Sequence, residues 1–400
     1  MALLCTGFLA FGNVAPVHAQ AVCNRTSVGF TPITDLGEDL YNGEQGGLYP
    51  GGSNVIPASH EELGKRLAAM IVPLNQNGLP DNGAGKIVMV SIGVSNTRNE
   101  FGGYATDDTT TVSFPAAFKP QADADPAKNP KLVMVNGAEG GNAIDEWLAE
   151  APATWAKVIN TKLPQAGVTA QQVQAAWIKL PDRGQTQPFP IDQVSYRDKL
   201  KQLLQKAKQK FPNLVIAYLS SRSYGGYSDK TTSNIEPYAY QSAFGVKWVI
   251  ADQMLGDASI SPDPDQNPLT NDGKAPWVAW GPYFWADGTT PRQDGLTWLC
   301  SDFQSDGLHQ NNAGVKKVAD RLLAQMKTDP TACGWFLKDG CGSTTPPPPG
   351  KIGDLNGDGQ VDVIDLGILL AQWTGNGVGD LNQDGRVDVI DLGILLASWT

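Results

Sequence analysis

Histidine, positive charge and long apolar runs are all scarce in this sequence. Only three of the 400 residues are histidine, and no Cys-x-x-Cys pair occurs, so a zinc centre is disfavoured. With 30 Lys and Arg against 41 Asp and Glu the formal charge is −11, which disfavours binding to nucleic acid or anionic membranes. No apolar run reaches the roughly 20 residues that a transmembrane helix requires.

Basic residues are absent before Arg25, yet the N-terminus predicts an export signal. Residues 2–14 are almost wholly apolar, and Ala19 supplies the small residue expected before a cleavage point. We expect residues 1–19 to be removed and the mature protein to be secreted or held at the cell surface. A buried first helix is the alternative.

Cysteine usage agrees with export. Loss of the signal would remove one of the five cysteines and leave Cys23, Cys300, Cys333 and Cys341. An even number in a secreted chain favours two disulfides. Cys333 and Cys341 would close a short loop and Cys23 could approach Cys300, but the sequence leaves all three pairings open.

A proline-rich segment divides the chain. Four consecutive prolines occupy residues 346–349, and such a run favours an extended, semi-rigid spacer. We therefore predict a large domain over residues 20–342, a linker over 343–350 and a small domain over 351–400.

The large domain alternates strand-like and helix-like segments. Apolar runs typical of strands lie at 87–92, 132–135, 173–178, 214–219 and 277–280, and helical patterns at 154–161, 196–210, 236–254 and 313–327. This alternation predicts an α/β fold with a parallel sheet covered on both faces. We expect a three-layer α/β/α, flavodoxin-like domain with five parallel strands and a ligand crevice at their carboxyl ends.

The small domain contains a 26-residue repeat in which carboxylates recur at the spacing of a calcium loop. Such a loop takes oxygen ligands at positions 1, 3, 5, 7, 9 and 12 and has glycine at position 6. The predicted ligands are Asp354, Asn356, Asp358, the carbonyl of Gln360, Asp362 and Asp365, then Asp380, Asn382, Asp384, the carbonyl of Arg386, Asp388 and Asp391. We predict two Ca²⁺ ions here, on which folding depends, and no cofactor in the large domain.

Two such loops, each followed by one apolar helix pattern, resemble the type I dockerin. The resemblance implies docking to a cohesin-like or other surface scaffold domain. Beside the last ligand this chain has Val363-Ile364 and Val389-Ile390, where many cohesin-recognising dockerins carry small polar residues. A calcium-stabilised module without a cohesin partner is therefore the alternative.

The predicted catalytic base of the large domain is His309. His60 follows Ser59, a favourable N-cap, and is expected on the surface of a helix. His309 lies three residues after Asp306, between the last strand and the last helix. A carboxylate in that place can fix the imidazole tautomer and stabilise its charged form. A capping Asp beside an exposed His is the alternative.

A hydroxyl nucleophile is expected at the same edge of the sheet. Ser95 follows the first strand directly, at a turn where a histidine can deprotonate it. Ser53 stands in a similar Gly-Ser-Asn tripeptide, but no strand precedes it, so we interpret it as a loop residue. After the second strand, Gly140-Gly141 opens a helix and can present N–H groups to an oxyanion.

Together these blocks resemble the SGNH hydrolase superfamily over roughly residues 85–326, and its sialate O-acetylesterase and acetylxylan esterase branch in particular. The matching residues are Gly93-Val94-Ser95-Asn96, Gly140-Gly141 with Ile144 and Trp147, and Asp306 with His309. The resemblance implies that Ser95 is the nucleophile, His309 the base and later the acid, and Asp306 its orienting partner. It also implies oxyanion donors at the N–H groups of Ser95 and Gly141.

The third block departs from the family, which has an Asn or Gln donor where this chain has Lys179. Further candidate oxyanion donors are therefore Gly140, Asn136 and Lys179. Candidate substrate contacts follow the fourth strand or lie in or after the fifth: Arg222, Tyr224, Trp280 and Trp285.

These features predict an exported serine esterase that removes acyl groups, acetyl above all, from a polysaccharide or acylated sugar. A non-catalytic SGNH-like protein that binds carbohydrate or assembles at a surface is one alternative. A hydrolase of lipid or other esters is the second.

Overall fold

The computed structural model describes residues 21–103, 114–149, 153–229, 235–262 and 273–341, and towards the C-terminus 353, 355, 360–375, 379, 381 and 386–399. The chain forms two compact units, residues 1–339 and 340–400. The predicted export signal and the predicted linker lie outside the described residues.

The larger unit is built around a parallel sheet. Two short antiparallel strands, β1 (Leu40–Tyr41) and β2 (Glu44–Gln45), precede the five strands of the sheet: β3 (Ile87–Gly93), β4 (Leu132–Val135), β5 (Val173–Lys179), β6 (Ile216–Leu219) and β7 (Trp277–Trp280). The sheet order is β4-β3-β5-β6-β7, which is the flavodoxin-like order 2-1-3-4-5 when the five are counted along the chain. The prediction of an α/β fold with five parallel strands is confirmed.

Helices cover this sheet. They are α1 (Ile33–Leu36), α2 (Ala58–Ala68), α3 (Ser95–Gly102), α4 (Phe118–Ala124), α5 (Ile144–Leu148), α6 (Ala153–Lys157), α7 (Leu163–Gln165), α8 (Ile191–Lys210), α9 (Tyr238–Met254), α10 (Asn312–Thr328) and α11 (Cys333–Phe336). Helix α8 packs against α5 and α9, whereas α10 packs against α3 and α4. The strands are buried almost throughout, as a sheet covered on both faces requires.

One expectation about this unit is wrong. His60 is not on the surface: it is 5% exposed, and its ring stacks on Trp277 with the centroids 4.9 Å apart. Its Nε2 lies 2.8 Å from the carbonyl oxygen of Val278, and burial lowers the pKa of the imidazole. The helix begins after Pro57 instead of at Ser59, which turns His60 towards β7.

A disulfide joins Cys23 to Cys300, so the N-terminal segment is tied to the loop that precedes α10. Cys333 and Cys341 are disulfide-bonded as well. Of the three pairings that the sequence left open, the structure selects the one that brings Cys23 to Cys300. No helix among the described residues combines the length and apolarity needed to cross a membrane.

The smaller unit has two matching helices, α12 (Val363–Ala371) and α13 (Val389–Ala397). Its core consists of equivalent residues from the two repeats, all fully buried: Val361 and Leu369 from the first, Val387 and Leu395 from the second. The two sequence repeats therefore contribute equivalent side chains to one shared core, and neither repeat has a core of its own.

Candidate active site

Ser95 is the first residue of α3 and follows β3 after a single residue. The turn is tight: a Cβ added at Gly93 would lie 2.3 Å from atoms of Thr97, so only glycine fits there. Opening a helix also leaves the Ser95 N–H without an intrahelical acceptor. The hydroxyl and the N–H of one residue are thus both presented at the carboxyl end of the sheet.

The structure brings the three predicted catalytic side chains together in one hydrogen-bonded chain. The Oγ of Ser95 lies 2.8 Å from Nε2 of His309, and Nδ1 of His309 lies 2.6 Å from Oδ2 of Asp306. This is the nucleophile, base and orienting acid arrangement that activates a serine hydroxyl.

Asp306 is held in the charged form that this arrangement requires. Burial raises the pKa of its carboxyl group, but hydrogen bonds from the His309 ring and from the backbone N–H groups of His309 and Leu308 outweigh burial and lower it well below the usual value. Both N–H groups donate to Oδ1 at 3.0 Å, which leaves Oδ2 for the ring. The Nδ1–H tautomer is thereby favoured, with Nε2 free to accept the serine proton.

Two further residues fix the loop that carries His309. Asn96, next to the nucleophile, donates from Nδ2 to the carbonyl oxygen of Leu308 at 3.1 Å. Gln310 donates from Nε2 to Oγ of Ser223 at 2.6 Å. The sequence does not indicate this role of Asn96, because a contact across 212 residues leaves no local pattern.

The Gly140-Gly141 turn lies beside the nucleophile. The backbone N–H of Glu139 donates to the carbonyl oxygen of Gly93 at 3.0 Å, which holds the turn against the end of β3. Gly141 has a φ of +82°, a conformation that favours glycine. This placement is compatible with oxyanion donors at Ser95 and Gly141, the two N–H groups that the resemblance implied.

The structure gives Asn136 a different task from the one expected. Its Nδ2 donates to the carbonyl oxygens of Arg98 and Gly103, both at 2.8 Å, and its Oδ1 accepts from Ser91 at 2.9 Å. Because both amide hydrogens are used, Asn136 has none for an oxyanion. It ties α3 to the end of β4 instead.

Lys179 does not act as an oxyanion donor either. Its ammonium group is buried and contacts both carboxylate oxygens of Glu100, at 2.5 and 2.8 Å. Burial lowers the pKa of Lys179, whereas Glu100 opposes that shift. Glu100 lies on α3, so the ion pair fastens the nucleophile's helix to the end of β5. Glu100 was missed because its partner is 79 residues away.

This ion pair gives a first testable prediction. Replacing Lys179 by methionine should lower the free energy of unfolding by about 3–5 kcal/mol, because Glu100 is then left charged and buried without a partner. Adding Glu100→Gln should recover most of that loss. Urea unfolding followed by tryptophan fluorescence measures both variants. Equal losses in the single and double variants would show that the two residues are not coupled.

The predicted substrate contacts are mostly wrong. Tyr224, Trp280 and Trp285 are all at least 97% buried and donate to backbone or buried carboxylate oxygens. They are core residues, because the segments after β6 and β7 fold back over the sheet. Arg222 is half-buried and lines a small cavity with Val94 and Asn96, the two neighbours of Ser95.

The calcium loops are described only in part. The first three predicted ligands of each loop lie outside the described residues: Asp354, Asn356 and Asp358 in the first loop, and Asp380, Asn382 and Asp384 in the second. Gln360, Asp362, Arg386 and Asp388 are described, and Asp365 and Asp391 are fully buried. The described residues alone hold no cluster of three or more His, Cys, Asp or Glu side chains suited to a metal.

The last carboxylate of each loop is nevertheless placed identically. Asp365 accepts from the backbone N–H groups of Leu355 and Asp362, at 2.7 and 2.8 Å. Asp391 accepts from Leu381 and Asp388 at the same distances. A fully buried carboxylate that gathers the loop around itself fits a bound cation, which would offset its charge.

No known protein family matches the sequence, and no curated protein does. Among solved structures the chain is similar to a Bacillus subtilis protein (12% identity, TM-score 0.31, covering 62% of this chain and 58% of that one). It is also similar to a carbohydrate esterase family 2 enzyme with a carbohydrate-binding domain from Corynascus thermopiles (15% identity, TM-score 0.31, covering 62% of this chain and 67% of that one). A third similar structure is phospholipase A1 from Streptomyces albidoflavus (12% identity, TM-score 0.29, covering 60% of this chain and 99% of that one).

Proposed function

We propose that the protein is a secreted serine esterase of the SGNH type that removes acetyl groups from a carbohydrate. The observation that carries the proposal is the unbroken hydrogen-bonded chain from Ser95 through His309 to Asp306. The order of the sheet places this chain at the carboxyl ends of the strands, where ligands of such folds bind.

The proposed reaction proceeds in two steps. Oγ of Ser95 attacks the acyl carbon while Nε2 of His309 takes its proton, and the N–H groups of Ser95 and Gly141 receive the oxyanion. As the tetrahedral species collapses, the ester C–O bond breaks and His309 gives the proton to the departing sugar oxygen, which leaves as a hydroxyl. Water, deprotonated by His309, then attacks the acyl-serine. The bond to Oγ breaks, acetate leaves and His309 returns the proton to Ser95.

The surroundings of Ser95 support a short acyl group. The small cavity next to it has a volume of about 20 Å³ and is lined by Val94, Asn96, Lys179, Arg222 and their neighbours. A volume of that size holds about one water-sized group. A cavity of that size, lined by the two neighbours of Ser95, suits a methyl group, which supports acetyl esters as the substrates.

Carriage on a calcium-dependent docking module is part of the same proposal. Val363 and Val389, equivalent in the two repeats, are each 69% exposed, and the equivalent pair Trp373 and Trp399 is also partly exposed. Exposed apolar groups on a small soluble unit are typical of a surface that binds a protein partner. A cohesin-like or other scaffold domain is the partner that we propose.

Hydrolysis of p-nitrophenyl esters of increasing chain length tests the function. We expect kcat/KM for the acetate to exceed that for the octanoate by at least ~10-fold, because the cavity lined by Val94 and Asn96 accommodates a methyl group and not an octanoyl chain. Acetylated xylan should release acetate as well. Preference for the octanoate would favour the lipid alternative, and no turnover of any ester would favour a non-catalytic binding protein.

A further inference from the structure

A second cavity lies at the β7 edge of the sheet, in the larger unit. It has a volume of about 400 Å³, and its walls come from the segment before β3, from the turn after β7 and from α10. Its lining includes Thr34, Glu61, Trp280, Tyr283, Arg321 and Gln325. A volume of this size is typical of a small-molecule site.

This cavity is separate from the catalytic site. None of Ser95, Asp306 and His309 lines it. In the sheet, β5 and β6 lie between β3 and β7, which at about 4.8 Å per strand places β3 and β7 roughly 14 Å apart. Along α10, Arg321 and Gln325 lie about 14 and 20 Å from the helix start near His309, given 1.5 Å per residue.

The cavity wall contains polar atoms whose bonding capacity is not used. Among the described residues, Oε1 of Gln325 is buried without a hydrogen-bond partner, although its Nε2 donates to the carbonyl oxygen of Trp280 at 2.8 Å. Among the described residues, Arg321 has long contacts, 3.4 Å to the carbonyl oxygen of Lys317 and 3.8 Å to Asp294. Glu61 forms no ion pair within the part of the chain that the structure describes. A ligand with both donors and acceptors would pair with Arg321 and Glu61.

The charges of the wall narrow the class of that ligand. Arg292 is already bound to Asp294 through Nε and Nη2, and Asp329 accepts from the backbone N–H of Thr331. Glu61 and Arg321 then give the wall one further charge of each sign, which favours a neutral ligand. Trp280 and Tyr283 line the cavity but are each only 3% exposed, so they contribute little open ring surface. Hydrogen-bonding groups of both kinds, in a wall with charges of both signs, suit a neutral, polyhydroxylated molecule.

We propose that this cavity binds one saccharide unit of a neutral glycan. It would hold a polymer chain at a point several sugar units from the ester that Ser95 attacks. The link to catalysis rests on the proposed esterase function, whereas the binding itself does not.

Binding can be measured apart from turnover with the full-length Ser95→Ala protein. Xylohexaose, cellohexaose and mannohexaose are titrated by isothermal calorimetry against this protein and against versions that also carry Glu61→Ala or Arg321→Ala. We expect at least one hexasaccharide to bind and each added change to weaken it at least ~10-fold. Glu62→Ala, one residue along α2 and outside the cavity, is the matched control and should leave binding unchanged.

Absence of binding by all three hexasaccharides, or binding that Glu61→Ala and Arg321→Ala leave intact, would overturn the proposal. The esterase assay separates the two hypotheses. With Ser95 present, Glu61→Ala should raise KM for acetylated xylan and leave p-nitrophenyl acetate hydrolysis unchanged. If the unaltered protein hydrolyses no ester but still binds a hexasaccharide through Glu61, the proposed function fails and the saccharide site stands.

Discussion

Replacing Ser95 by alanine is expected to lower kcat/KM for p-nitrophenyl acetate by ~10³-fold or more. The hydroxyl is placed to form the acyl intermediate, because Oγ already lies 2.8 Å from the base that must take its proton. His309→Ala should cost a similar factor, because the remaining hydroxyl then has no acceptor for its proton. Initial rates at saturating and limiting ester concentrations measure both.

The double variant is the sharper test. If Ser95 and His309 act as one unit, removing both should cost little more than removing either. Ser53→Ala is the matched control, since Ser53 stands in a similar Gly-Ser-Asn tripeptide but bonds only to its own loop, at the backbone of Val55. Losses that add for Ser95 and His309, or an active Ser95→Ala protein that a phosphonate still labels, would place the nucleophile elsewhere.

The sheet could be predicted from the sequence because its signals are local. Each strand is a short run of apolar residues, and four of the five predicted runs agree with the observed strands to within one residue at each end. The fourth run covers 214–219, whereas β6 covers Ile216–Leu219. Leu214 and Val215 are buried, and the backbone of Val215 already bonds to Gln174 and Trp277, so the prediction and the structure differ only in where the regular strand begins.

The catalytic triad was predictable for a different reason. Ser95 follows a strand after one residue, and Asp306 and His309 lie in the loop that leads into α10. Parallel strands bring such positions to one edge. What surrounds them was not predictable in this way. The partner of Lys179 lies on another element, and the side chain that holds Leu308 comes from Asn96. Pairings between distant segments leave no pattern in the sequence around either partner.

The aromatic residues after the last strand also show that contacts between distant segments cannot be predicted from local sequence. Trp280 and Trp285 follow the last strand, a position that suggests a substrate rim, yet both are buried. The segment before β3 covers them: Nε1 of Trp280 donates to the carbonyl oxygen of Leu48 at 2.7 Å. Residues 21–57 carry no recognisable motif, and they nevertheless decide which surfaces of the sheet remain open.

Removing calcium is expected to unfold the smaller unit and leave the esterase intact. Its core is small: among the described residues it has four fully buried apolar side chains, Val361, Leu369, Val387 and Leu395. Beside them Asp365 and Asp391 are fully buried carboxylates that a cation would balance. A unit of about fifty residues seldom folds stably on so small a core without a metal or disulfides.

The size of the effect follows from binding linkage. Free calcium at a hundredfold excess over its Kd stabilises the folded unit by about 2.7 kcal/mol per site, so two sites contribute about 5 kcal/mol. Chelation should therefore abolish its folding transition, observed as lost protection of α12 and α13 in hydrogen exchange. Asp365→Asn and Asp391→Asn should each remove part of that protection at saturating calcium, with hydrolysis of p-nitrophenyl acetate unchanged throughout. Equal protection with and without chelator would show that these loops do not bind calcium, and parallel loss of esterase activity would show that the larger unit depends on it.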